Sequence, residues 1–124
     1  MPVLLSCGPT PLRLAVSAYL ARFKGISREH TCSDLNVFVT WCTERGVEPL
    51  AAQRADLELF VRWMQETRRF KPSTVARRTS VVAGFYRTCV IDGVLDHSPA
   101  EYVRRPTVPA MAARRHGRTR PRAS

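Results

Sequence analysis

Between Lys71 and Arg87 the chain reads KPSTVARRTSVVAGFYR, and four cations, Lys71, Arg77, Arg78 and Arg87, stand there without one acidic residue. A helix that merely faces water usually mixes signs, with Glu and Lys four residues apart. A single sign suits recognition of an anion. Arginine forks onto a phosphate or a guanine edge through paired N–H donors. Ser73 and Thr74 add hydroxyls at the start of the stretch, where the free N–H groups and the dipole of a helix favour a phosphate. At about 100° per residue, Arg77, Ser80, Gly84 and Arg87 fall opposite Val82. Arg78 lies at the edge of the apolar face, where its stem packs while its head reaches out. A hydroxyl and a glycine between outward arginines let a helix backbone come close to a surface. The pattern fits docking in a DNA groove; it also fits a solvated basic helix whose glycine serves helix packing.

The rest of the chain must position those residues. Its 124 residues suggest one domain, with about 80 able to pack together, and a domain that small buries only about 60% of its unfolded surface. An apolar fraction of 44% and a charged fraction of 24% are ordinary, but a net charge of +10 is not. Seven arginines and no acid lie in residues 104–124, while Glu66 and Asp92 bracket six cations (Arg68, Arg69, Lys71, Arg77, Arg78, Arg87). One internal stripe and one tail carry the excess, as expected for a polyanion partner.

Neither a metal nor another cofactor is expected. Cys7, Cys32, Cys42 and Cys89 show no C-x-x-C spacing, and the three histidines complete no zinc pattern. Cys42 and Cys89 fall in apolar registers, which suits small buried hydrophobes better than a disulfide. MPVLLSCG resembles a lipoprotein cleavage site only faintly, lacking a charged start and a sufficient apolar run. No stretch is apolar for the length of a membrane span, and the cytoplasm is the expected compartment.

Residues 11–24 form an apolar-rich lead segment, partly helical and stopped by Gly25. A helix capped by Ser27 and closed by Gly46 carries Leu35, Phe38, Val39 and Cys42 on one face. A second, Ala55 to Arg69, carries Leu57, Phe60, Val61 and Met64, with Asp56 and Glu58 at its positive end. Pro72 and Ser73 separate it from the third, the stretch through Arg87, where Val75, Val82, Phe85, Tyr86 and Cys89 line one side and Gly93 ends the helix. Ser98, Pro99 and Glu101 form a capping box that starts a brief last helix. With no period-two pattern, the expected fold is all-α, a small orthogonal four-helix bundle.

Several of these stretches together resemble a known family. REHTCSDLNVFVTWCTERGVEPL, ADLELFVRWMQE, KPSTVARRTSVVAGFYR and DGVLDHSPAEYVRRP are similar to the N-terminal core-binding domain of tyrosine recombinases of the phage-integrase type. The most specific features are Asp34-Leu35 with Phe38, Trp41 and Gly46; Thr74-Val75 with Arg77-Arg78 and Phe85-Tyr86; and Ser98-Pro99 with Arg104-Arg105-Pro106. The resemblance implies a SAM-like fold over residues 25–106 that clamps one side of double-stranded DNA, while a separate domain cuts. It implies DNA contacts from Ser27, Arg28, Lys71, Ser73, Thr74, Arg77, Arg78, Ser80, Arg87, Arg104 and Arg105, and contacts with other recombinase protomers on DNA. Members commonly carry Tyr where this chain has Thr31, so looser packing is expected at that turn.

The family's cleavage chemistry needs a tyrosine nucleophile and a cationic cluster that includes H-x-x-R. Ser33, Ala100 and Thr119 stand three residues after His30, His97 and His116, so that motif is missing. Tyr19, Tyr86 and Tyr102 fall within or beside the bundle, as packing residues with a hydroxyl at the rim. The chain is therefore expected not to be an enzyme and to take no small-molecule substrate. Other readings are a small basic helix-turn-helix regulator, a module that interferes with a full recombinase and, more weakly, a ribosome-associated protein. Residues 107–124 read as a disordered basic tail. They suit a DNA-gripping arm, but Arg, Ala, Pro and Gly also have GC-rich codons, and the composition favours an out-of-frame read beyond about codon 110.

Overall fold

The structure, a computed structural model, describes residues 10–103. Four helices follow in order: α1 Thr10–Leu20, α2 Gly25–Arg45, α3 Arg54–Arg62 and α4 Pro72–Ile91. A 3-10 turn, Pro49–Ala51, precedes α3, and a π turn, Trp63–Thr67, prolongs it. The arrangement is all-α with four helices, as expected, but they are not the four that the sequence suggests.

The lead segment is part of the core. Leu12, Ala15, Val16 and Tyr19 of α1 are buried in the same cluster as Leu35, Phe38, Leu57, Phe60, Val82 and Phe85. The folded unit therefore takes in Thr10–Leu20, ahead of the expected boundary at residue 25. Gly25 does not stop α1; it opens α2 with φ at +54°, which lets the chain turn sharply into the new helix. Consequently Ser27 is not the N-cap. Lys24 takes that place in an extended conformation, with no side-chain cap.

Thr31, where an aromatic is common in the family, is buried. Nearby, the Arg28 Nε–H is shared by the carbonyls of Leu20 and Phe23, at 3.2 and 3.1 Å. One side chain of α2 thus ties down the turn after α1, where the Leu20 carbonyl also accepts the Phe23 N–H at 3.1 Å. At the other end of α2, Gly46 takes φ +73° and the Val47 N–H reaches the Cys42 carbonyl at 2.8 Å, a helix stop of the expected kind.

The third helix starts one residue before its expected position and stops being α-helical at Arg62. The Gln53 N–H donates to the Asp56 carboxylate at 2.9 Å, fixing its start. Beyond Trp63 the helix widens, since the Arg68 N–H reaches back five residues to the Trp63 carbonyl at 3.0 Å. Arg69 then turns the chain at φ +53°, a left-handed conformation that costs a residue with a Cβ about 1 kcal/mol. The brief last helix does not form within the described residues. Ser98 Oγ accepts the Ala100 N–H at 3.1 Å, as a cap should, but the bonds that follow, Glu101 N–H to Ser98 O and Val103 N–H to Ala100 O, make successive turns. A segment so short closes too few bonds for a helix nucleus to pay off.

Aromatic rings bind the four helices together. Phe38 of α2 meets Phe60 of α3 at 5.0 Å and Tyr86 of α4 at 6.0 Å, both edge to face. Phe85 continues the line to Tyr19 of α1 at 5.8 Å. Tyr86 is fully buried and donates its hydroxyl to the Pro49 carbonyl at 2.7 Å, which pins the 3-10 turn over α4.

Cys42 and Cys89 are buried free thiols, as their registers suggest; Cys7 lies outside the described residues. Burial pushes the Cys42 thiol up to about 12 and the Cys89 thiol to about 11, with smaller contributions from nearby acids. At pH 8 both thiols are then almost wholly protonated and shielded, so neither should react with a water-soluble aromatic disulfide until the protein unfolds. Both thiols favour the protonated form in the folded state, so their stabilising contribution is complete below the ordinary thiol value. It is lost as pH rises from about 9 towards 11 and 12. Rapid native-state labelling of Cys42 or Cys89, read by peptide mass, would contradict this packing.

Candidate nucleic-acid interface

Two of the cations of α4, Arg77 and Arg78, face an acid on another helix. Asp34 projects from α2 with only 4% of its side chain exposed. Arg77 grips both of its oxygens, Nε to Oδ2 at 2.9 Å and Nη2 to Oδ1 at 3.1 Å. Arg78 adds a third bond, Nε to Oδ1 at 3.0 Å. These bonds raise Arg77 still further above its ordinary value. The two arginines are held differently. Arg78 is only 16% exposed and its guanidinium also lies 4.7 Å from the centre of the Phe70 ring, a favourable cation–π contact. Arg77 is 56% exposed, so water screens its share of the pairing and much of the group faces outward.

His30 and Ser33 of α2 join Asp34, Arg77 and Arg78 around a hollow of about 150 Å³. Ser27 lies one to two turns earlier on the same stripe, since 27, 30 and 34 share a helix face. The cationic turn ahead of α4 carries Arg68, Arg69 and Lys71, all exposed. Arg68 caps the rings of Trp63 and Phe70 at 5.6 and 5.1 Å. Ser73 is exposed and Thr74 half-buried in the first turn of α4. Arg87 is exposed ten residues after Arg77, about 15 Å along the helix, and lines a separate hollow with Asp96, His97 and Glu101. Arg28 is exposed but bonded at Nε to the carbonyls of Leu20 and Phe23. Ser80 is exposed with partners of its own. Arg104 and Arg105 lie outside the described residues.

Gly84 does not belong to an open outward stripe. A Cβ there would lie 2.8 Å from the Tyr19 hydroxyl of α1. That hydroxyl donates to the Val81 carbonyl at 3.0 Å, so the glycine lets α1 dock on α4. Burial raises the Tyr19 phenol above its ordinary value, against opposing pulls from Arg87 and Arg22, which keeps it a proton donor. Gly84→Leu should therefore act on stability. An overpacked α1–α4 contact costs about 1–3 kcal/mol, and the melting temperature should fall while DNA affinity of the folded protein stays within twofold. A large loss of affinity at unchanged melting temperature would return Gly84 to the outer face.

Asp34 is the residue that reasoning along the helix missed. Its signal was an acid set immediately before Leu35 on an apolar stripe, opposite a helix with cations and no acid. Among the described residues, no group of three or more His, Cys, Asp and Glu side chains is placed to hold a metal ion, and no helix is long and apolar enough to cross a membrane.

Comparison with known proteins agrees with this geometry. Residues 17–91 match the family described as phage integrase, N-terminal SAM-like domain. The chain is 27% identical over 84 residues to the tyrosine recombinase XerD of Chlorobaculum tepidum, covering 68% of this chain and 27% of that protein. It is 31% identical over 101 residues to the tyrosine recombinase XerD of Xanthomonas campestris pv. campestris, covering 77% of this chain and 31% of that protein. The chain thus spans under a third of the length of these curated relatives. No solved structure matches it. With four helices on one core and a match that begins inside α1 and runs to the last residue of α4, this chain belongs to the phage-integrase N-terminal SAM-like domain family.

Proposed function

We propose that this domain is a core-binding module that grips double-stranded DNA and does not cut it. The observation that carries the reading is the cationic run from Arg68 to Arg87, in which Arg77 and Arg78 share one buried carboxylate and Arg68, Arg69, Lys71 and Arg87 stand exposed. Lys71, Ser73 and Thr74 at the start of α4, then Arg77 and Arg78, then Arg87, present donors along one helix. Phosphates recur about every 3.4 Å of axis along one strand, so the 15 Å or so between Arg77 and Arg87 corresponds to about four steps. Separate phosphates are thus within reach of each. Ser27 and Arg28 extend the contact on α2; Arg104 and Arg105, the other proposed contacts, lie outside the described residues. Cleavage by the family's chemistry calls for the H-x-x-R motif, which this sequence lacks.

The reading is tested by titrating the full chain into a fluorescent duplex and into the matching single strand, at 50 mM salt. Saturable binding that prefers the duplex is expected, with no protein–DNA adduct surviving denaturing electrophoresis. Absence of duplex binding would overturn the reading, and a covalent adduct at any tyrosine would overturn the non-catalytic half of it.

A further inference from the structure

We propose that the hollow between α2 and α4 seats one backbone phosphate, and that Asp34 is a positioning residue that aims Arg77 and Arg78 at it. The proposal rests on the duplex binding argued above and assigns a role to a residue of the wrong charge for DNA.

A carboxylate that only clamped α4 to α2 would need one arginine. Asp34 holds two, through three bonds, and no second acid lines the hollow. The cluster is left with one net positive charge. The bonds engage Nε and one terminal nitrogen of Arg77 and only Nε of Arg78. Each guanidinium has five N–H donors, so most of the donors are outside these bonds. A planar fork locked along one edge presents its other edge in a set direction. His30 and Ser33, both exposed, add donors at the rim. The hollow of about 150 Å³ is open to water-sized groups, and a phosphate's oxygens are of that size. Arginine side chains are costly to immobilise, and two that are ordered before binding lose less on contact.

The test exploits a difference of sign. Asp34→Asn raises the net charge from +10 by one unit. If Asp34 is only a structural clamp, the folded variant has a more positive surface and binds the labelled duplex as tightly as the parent or more tightly. If it positions the arginines, affinity at 100 mM salt falls at least fivefold despite the added charge. The slope of log affinity against log salt also becomes shallower by about 0.9, the loss of one phosphate contact. Arg77→Lys provides the second arm, because it keeps the charge but cannot span both oxygens of Asp34. At least a threefold loss is expected, and this variant decides the matter if Asp34→Asn fails to fold by circular dichroism. Parent-like or tighter binding by the folded variants, with unchanged slopes, overturns the positioning role and leaves DNA binding standing. A parent chain that does not bind duplex overturns both.

Discussion

Arg77→Ala combined with Arg87→Ala is expected to weaken duplex binding at least tenfold without unfolding the domain. If about five phosphates are contacted, log affinity falls against log salt with a slope of about −4.5, or several hundredfold between 50 and 200 mM. Removing two contacts should bring the slope to about −2.7, so the variant and the parent converge at high salt. The fold should survive because Arg87 is exposed and Asp34 keeps the Arg78 bond when Arg77 is lost. Anisotropy titrations at four salt concentrations, with thermal melts on the same samples, separate affinity from folding. An unchanged affinity in the double variant would remove α4 from the interface.

Phe38→Ala is expected to be the most destabilising single change in the core. Phe38 is fully buried and touches the rings of Trp41, Phe60 and Tyr86, so it joins α2, α3 and α4 at one point. Truncating a buried Phe costs about 3–5 kcal/mol. A domain of this size has only about 5–10 kcal/mol to lose. At about 4–8 °C per kcal/mol, the melting temperature should drop by roughly 12–40 °C. Leu59 serves as a control: it is 47% exposed on α3, and Leu59→Ala should shift the midpoint by no more than a few degrees. Melting of Phe38→Ala within 5 °C of the parent would show that the aromatic line is not what joins the helices.

The apolar faces were legible along the chain. Leu35, Phe38, Val39 and Cys42, then Leu57, Phe60 and Met64, then Val75, Val82, Phe85, Tyr86 and Cys89 are all buried as their spacing requires, while Val61, expected on the same face, is only half-buried. Helical periodicity is a local property, and apolar side chains at that period have one way to leave water together. Gly46 was legible for the same reason, because a left-handed stop is a demand of a single residue. The end of α3 was not. No glycine or proline marks it, and an arginine holds the left-handed turn because the Met64 carbonyl takes the Phe70 N–H across it.

The sequence by itself determined the helical class, most of the core and the one-signed charge of α4, since composition and period are properties of neighbouring residues. Only the tertiary structure decided what that charge meets within the protein. Asp34 lies 43 residues before Arg77, and no pattern of that length links an acid to its cation. It also decided the place of Gly84. A helical wheel assumes one buried face, but α4 is packed against α1, α2 and the π turn, so its side opposite Val82 is partly covered too. Ser80, Gly84 and Arg87 share a stripe on the wheel, yet Tyr19 of α1 sits over the glycine while Arg87 remains in water. A wheel gives the angle at which a residue leaves its helix; what occupies the space at that angle is set by chains arriving from elsewhere in the sequence.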